Sequence, residues 1–197
     1  MEDRNLNNTE EEVDVLEDLE EQPPAKTRLR DEIFSWIKAG ITAAVVALFV
    51  NNFVIVNAMV PTGSMETTIM TNDRIMAFRL SYLFNSPSRF DIIVFQNPNS
   101  PYLYIKRIIG MPGETVIIAN GRVYIDGEFL EEDSTFIKED FFGNHGPFFI
   151  GENEFFVMGD NRNSSSDSRF WQNPFVSEDL IVGRAVFKYF RGFEILR

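Results

Sequence analysis

Apolar positions change their pattern twice along this chain. Residues 1–24 are poor in large apolar side chains and close on Pro23-Pro24, a composition that predicts a solvated tail. Val13, Leu16 and Leu19 have helical spacing there, which leaves room for a transient helix or a partner contact. From Ala39 to Val50 the chain is apolar and uncharged; Ile33, Phe34, Trp36 and Ile37 extend the run upstream, and Phe53–Val56 extend it downstream past Asn51 and Asn52. A helix from about Ile37 to Val56 has roughly 20 residues and spans about 30 Å, the thickness of bilayer hydrocarbon. A buried core helix and a cleaved export signal are the alternatives. A cleaved signal starts near the N-terminus with a basic region, whereas an acidic stretch comes first here. The pattern predicts one uncleaved membrane anchor.

After the anchor the period shortens. Arg74–Leu80, Asp91–Phe95, Tyr102–Ile109, Thr115–Ala119, Arg122–Ile125, Glu154–Met158 and Ile181–Phe190 read as strands, rich in β-branched and aromatic residues. Asn120-Gly121 and Asp126-Gly127 are tight hairpin turns, Pro112-Gly113 suits a type II turn, and Ser177–Leu180 suggests a short helical turn. The expected fold is mainly β: an antiparallel, barrel-like domain preceded by one N-terminal transmembrane helix. The boundaries predicted are 1–32 for an acidic cytoplasmic tail, 33–56 for the anchor and 57–197 for an extracytoplasmic domain.

Charge sharpens this picture. The formal net charge is −12, but residues 1–22 hold ten acids against the single base Arg4, so the remainder is only mildly acidic. Nucleic-acid binding therefore has no electrostatic support. Lys26, Arg28, Arg30 and Lys38 precede the uncharged run, and the positive-inside rule places the N-terminus in the cytoplasm. With no cysteine and one histidine, the chain offers no thiolate chemistry and no metal-ligand cluster; no metal and no cofactor are expected.

Three polar islands carry candidate chemistry. Pro61-Thr62-Gly63-Ser64-Met65 follows the anchor and offers a serine, nearly inert until a base removes its proton; a plain turn is the other reading. The lone His145 lies in Gly143-Asn144-His145-Gly146-Pro147, a surface turn. Lys106 sits instead in the apolar strand Tyr104-Ile105-Lys106-Arg107-Ile108-Ile109. Desolvation there lowers an amine's pKa, and a depression of about three units, costing ~4 kcal/mol, makes a large fraction neutral at pH 7. An exposed edge-strand lysine beside Arg107 remains the alternative. The third island runs from Met158 to Trp171 and mixes Asp with Arg densely enough to form a rigid loop, or else a plain polar one.

Taken together, in order and with this spacing, the three islands resemble those of the bacterial type I signal peptidases (leader peptidases), over roughly residues 33–190. Pro61–Met65 matches the nucleophile box, Tyr104–Gly113 the lysine box, and Gly159–Arg169 the Gly-Asp-Asn-Arg…Ser-x-Asp-Ser-Arg box; Gly183-Arg184-Ala185 matches a short element near that family's end. The single anchor and short exported part look like the Gram-positive type. The resemblance implies Ser64 as nucleophile and Lys106 as general base, with the Thr62 hydroxyl and the Ser64 backbone N–H as oxyanion donors. It implies Ser165 as the group orienting the lysine, Asp160 and Arg162 as loop supports, Asp167 with Arg169 as an ion pair near the site, and Met65 in the substrate-binding region. Met59 and Val60, flanking the nucleophile, are placed with Met65 along one wall of that region. Thr67 stands where the family usually has proline, a departure bearing on the local turn.

The implied activity is a serine–lysine endopeptidase on the outer face of a bacterial cytoplasmic membrane, cleaving secretory preproteins after Ala-x-Ala signals. Its implied partners are signal peptides and the lipid bilayer. The self-cleaving serine–lysine repressor proteases are the enzymatic rival, but they are cytoplasmic and carry a DNA-binding head. A catalytically dead β scaffold that binds exported peptides is the rival from another class. Among twenty phenylalanines, those in Tyr82-Leu83-Phe84, Phe141-Phe142 and Phe170-Trp171 fall beside polar turns. They suit either core packing or an aromatic rim resting on lipid.

Overall fold

The computed structural model describes residues 25–197 except positions 99, 133, 134, 138, 191 and 197, so the acidic segment 1–24, with its Val13, Leu16 and Leu19 spacing, lies outside the described residues. The chain divides into two compact units between Leu48 and Phe49. The first holds helix α1 (Ala25–Phe49), which starts upstream of the expected anchor boundary because Asp31, Glu32 and Lys38 are tolerated on its open surface. Its side chains from residue 29 onward are exposed, and the helical span Leu29–Val54, 26 residues, is long and apolar enough to cross a membrane.

The second unit opens with one π-type turn, Val50–Val54, and then departs from the predicted helix. Ile55 and Val56 are not helical; they begin strand β1 (Ile55–Met59), pairing with Phe78 and Ala77. Two β-branched residues gain a partner strand and a core there, which outweighs continuation of the helix. Strands β2 (Arg74–Phe78), β3 (Ile92–Gln96) and β4 (Leu103–Gly110) lead to a second sheet of β5 (Thr115–Ala119), β6 (Arg122–Ile125), β7 (Glu128–Phe129) and β8 (His145–Phe149). The chain then returns to the first sheet with β9 (Glu154–Met158), β10 (Phe175–Ser177), β11 (Ile181–Lys188) and β12 (Glu194–Ile195).

Pairing is antiparallel throughout, in the order β1-β2-β11-β3-β4-β9-β10 for the large sheet, with β12 on β11, and β7-β6-β5-β8 for the small one. Register shifts in β11 and β4 mark bulges, which bend strands, and the large sheet curls into an open half-barrel. In β3, Ile92 and Val94 join one core cluster with Val56, Met65 and Ala185, while Ile93 and Phe95 join another with Ile108, Phe155 and Val157. Burial on both faces explains why this strand reads as an unbroken apolar run. A third cluster, including Ile109, Val116, Phe141 and Met158, packs the two sheets together. Asn120 and Gly121, and Asp126 and Gly127, all have positive φ, as the predicted hairpin turns require. The predicted helical turn is a 3-10 turn at Glu178–Leu180. Strands β7, β8, β10 and β12 were not legible: two are only two residues long, and the other two contain Gly-Pro or follow Asn-Pro.

Candidate active site

Three segments meet where β1 ends. The chain leaves β1 through Val60 and Pro61 into a turn fixed by Met65 and Ile69, both fully buried; the Ile69 N–H donates to the Met65 carbonyl at 2.8 Å. That anchoring holds Ser64 at the rim of the core. From β4, Lys106 reaches the same point. Its Nζ donates to Ser64 Oγ at 2.8 Å and to the Ile105 carbonyl at 3.1 Å, and the two residues are only 5% and 9% exposed.

The lysine's charge state follows from its surroundings. Burial pushes its pKa down from the ordinary 10.5 to about 8, while the carboxylates of Asp167 and Asp160 pull upward and Arg169 pushes down. Desolvation wins over the favourable fields. An amine of this pKa is neutral about one time in ten at pH 7, against roughly one in two thousand for a solvated lysine.

The 159–169 loop closes the site from behind. Asn161 donates its backbone N–H to the Ser64 carbonyl at 3.1 Å and its Nδ2 to the Gly63 carbonyl at 3.0 Å, tying this loop to the turn that carries Ser64. Gly159 is required by close approach: a Cβ there would overlap the Ser64 carbonyl and Ser165 Oγ. Asp160 accepts from Arg107 Nε at 2.8 Å, from Arg107 Nη2 at 2.7 Å and from Thr68 Oγ1 at 2.6 Å. Asp167 accepts from Arg169 Nε and Nη2, each at 2.8 Å, and from the Gly159 N–H at 3.0 Å. All four charged side chains are buried, so each ion pair must be complete for the loop to be stable.

In front lies a groove of about 650 Å³, walled by residues 58–62 and 101–106 and reaching Ser64, Lys106, Ser164 and Ser166. Met59 stands exposed on its wall, Val60 and Met65 form part of its lining from below, and Thr62 borders it beside the serine. Leu103–Ile105 pair with β3 on one side, but β9 joins β4 only from Arg107 onward, so among the described residues no strand pairs with their other edge.

Ser64, Lys106, Thr62, Ser165, Asp160, Arg162, Asp167, Arg169, Met59, Val60 and Met65 thus gather around one groove and the loop behind it. One contact differs from expectation. Among the described residues Ser165 Oγ is buried without a hydrogen-bond partner, while Lys106 Nζ donates to Ser64 and Ile105. Thr67 takes part in a cis peptide bond with Glu66. Sequence reasoning missed Arg107, Asn161, Thr68 and Glu132. Arg107 alone left a signal: on an apolar strand, its side chain faces opposite to Lys106 and needs a carboxylate if buried. No group of acidic or histidine side chains among the described residues is arranged to hold a metal ion.

Sequence comparisons identify the family. The family model for signal peptidase, peptidase S26, matches residues 33–190. A signal peptidase I from Leptolyngbya laminosa is 40% identical over 177 residues, covering 85% of each chain. A signal peptidase I from Bacillus amyloliquefaciens is 33% identical over 182 residues, covering 86% of this chain and 95% of that one. A crystal structure of a signal peptidase I from Enterococcus faecalis V583 is 33% identical, with a TM-score of 0.43, covering 51% of this chain and 97% of that one. With the motif islands, the curled antiparallel sheet and a family match over most of its length, the chain belongs to the signal peptidase family, peptidase S26.

Proposed function

We propose that this chain is a membrane-anchored serine endopeptidase that removes signal peptides from exported preproteins, with Ser64 as nucleophile and Lys106 as general base. One observation carries the reading: an amine kept dry, with its pKa near 8, stands 2.8 Å from a hydroxyl that opens onto a groove. Neutral Lys106 accepts the Ser64 proton as Oγ attacks the scissile carbonyl, and the ammonium then protonates the leaving amine. Water, deprotonated by the same lysine, hydrolyses the acyl-enzyme. The Ser64 N–H and the Thr62 hydroxyl donate to the oxyanion; losing one such donor costs about a hundred- to a thousandfold in rate. Ser165, packed beside Gly159 and the Ser64 carbonyl, is available to take up an N–H of the lysine once that amine turns from Ser64.

An extended substrate pairs with the open edge of Leu103–Ile105, and the groove wall of Met59, Val60 and Met65 admits small side chains of an Ala-x-Ala sequence. The basic residues before the apolar span support a cytoplasmic N-terminus and an exported β unit. Leu83, Phe84, Phe142 and Phe170 are exposed and form the proposed lipid-contacting rim, whereas Phe141 is core. A soluble form starting near residue 57 that bound no lipid would count against the rim. The function itself is tested by incubating purified full-length protein with a preprotein beside Ser64→Ala and Lys106→Ala variants. Cleavage by the parent alone is expected. Equal cleavage by all three would refute the dyad, and cleavage by none would favour a peptide-binding scaffold.

A further inference from the structure

One buried ion pair on the 159–169 loop is supplied from the segment that follows β7. Glu132 lies just after β7, and its carboxylate takes both ends of the Arg162 guanidinium: Nη1 donates at 3.0 Å and Nη2 to the other oxygen. The two side chains are 0% and 7% exposed for arginine and glutamate, so this is no surface pair of small worth. Arg162 is fixed on its remaining sides as well. Its Nε donates to the Gly159 carbonyl at 3.1 Å, its own carbonyl accepts from Arg169 Nη2 at 2.7 Å, and the Phe141 ring centroid lies 5.3 Å from its guanidinium.

These bonds form a relay with an identifiable end. Gly159, held by Arg162 through its carbonyl, donates its N–H to Asp167, and Arg169, held through its Nη2, clamps the same carboxylate. We propose that Glu132 is a positioning residue for the reaction: by neutralising and orienting Arg162 it holds the 159–169 loop, and Asp167 within it, against the Ser64–Lys106 pair. The inference rests on the serine–lysine reading above. It also gives the small sheet a task at the site, since Glu132 touches neither the groove nor the dyad and precedes the loop by about thirty residues.

The charged groups acting on Lys106 are Asp167, Asp160 and Arg169. Loosening Asp167 weakens the carboxylate field that favours the ammonium. The acid limb of the pH–rate profile then moves to lower pH while the maximal rate falls.

The test uses full-length protein in detergent cleaving a preprotein substrate, with Glu132→Gln, Glu132→Asp and, as control, Glu114→Gln. Glu114 is also paired with an arginine, Arg89, but away from the catalytic loop. Glu132→Gln is expected to lower kcat by about tenfold to a hundredfold, with KM little changed and the acid limb displaced downward; Glu132→Asp recovers part of the rate. Glu114→Gln loses thermal stability but keeps the parent kcat and acid limb. A Glu132→Gln protein that merely melts earlier, with kcat and acid limb as in the parent, overturns the proposal. Hydrogen exchange gives a readout independent of turnover: amides of 159–169, Gly159 foremost, exchange faster in Glu132→Gln and not in Glu114→Gln. Unchanged exchange there overturns the relay even if the parent cleaves nothing, an outcome that on its own counts against the serine–lysine reading.

Discussion

Replacing Lys106 by methionine is expected to make the protein more stable at neutral pH as it abolishes activity. Folding moves the lysine's pKa from 10.5 to about 8, so below pH 8 the native state carries a charge it disfavours. At about 1.4 kcal/mol per unit, the lysine costs the fold about 3 kcal/mol there. The sign is fixed by linkage. Between pH 8 and 10.5 the unfolded chain holds a proton that the native state has released, so the wild type gains stability as pH rises through that window. Methionine has nearly the same length and no charge, and it removes this term. Urea unfolding of both full-length proteins in detergent, followed by Trp171 fluorescence from pH 6 to 11, gives the difference directly. The variant is expected to lead by about 3 kcal/mol below pH 8, less whatever the lost bond to Ser64 contributes, and the lead should shrink by the same amount towards pH 10.5. A stability difference that is flat with pH would refute the claim that burial neutralises this amine.

Three further outcomes follow from the same geometry. The acid limb of kcat/KM should fall near pH 8, activity rising with pH as Lys106 loses its proton; a limb near pH 6 would point to a different base. Asp160→Asn removes the carboxylate charge from a fully buried ion pair with Arg107 and should cost about 3–5 kcal/mol in denaturant melts. Gly159→Ala sets a methyl against the Ser64 carbonyl and Ser165 Oγ, displacing the nucleophile turn; a kcat loss of about a hundredfold or more is expected in single-turnover assays, and parent-like rates would show that the turn yields without consequence.

What could be read from the sequence depended on the range of the interaction. Asn120-Gly121 and the alternation in Thr115–Ala119 are local, and both hairpin turn and strand stand where they were expected. Ser64 and Lys106 were recognisable because their neighbours form motifs, although 42 residues separate them and only the fold sets their 2.8 Å approach. The end of the anchor was misjudged at Ile55 and Val56, whose strand depends on Phe78 and Ala77 more than twenty residues on. Asn161 was passed over since its role lies in bonds to Gly63 and Ser64, about a hundred positions earlier. Glu132 was invisible for the same reason: nothing near it announces an arginine thirty residues ahead. Ser165 shows the converse, a residue noticed by motif whose hydroxyl makes a different environment from the one its motif implied.

Synthesis order adds a consequence to the tether between Asn161 and the nucleophile turn. The hydroxyl emerges from the ribosome early and the amine soon after, but the segment that seals them from water comes almost a hundred residues behind the first. Until that segment arrives the amine is wet and protonated, and the half-made chain has no competent base. Under the serine–lysine reading, latency is thus written into the order of the polypeptide: the pair stays unsealed until the 159–169 segment has been made.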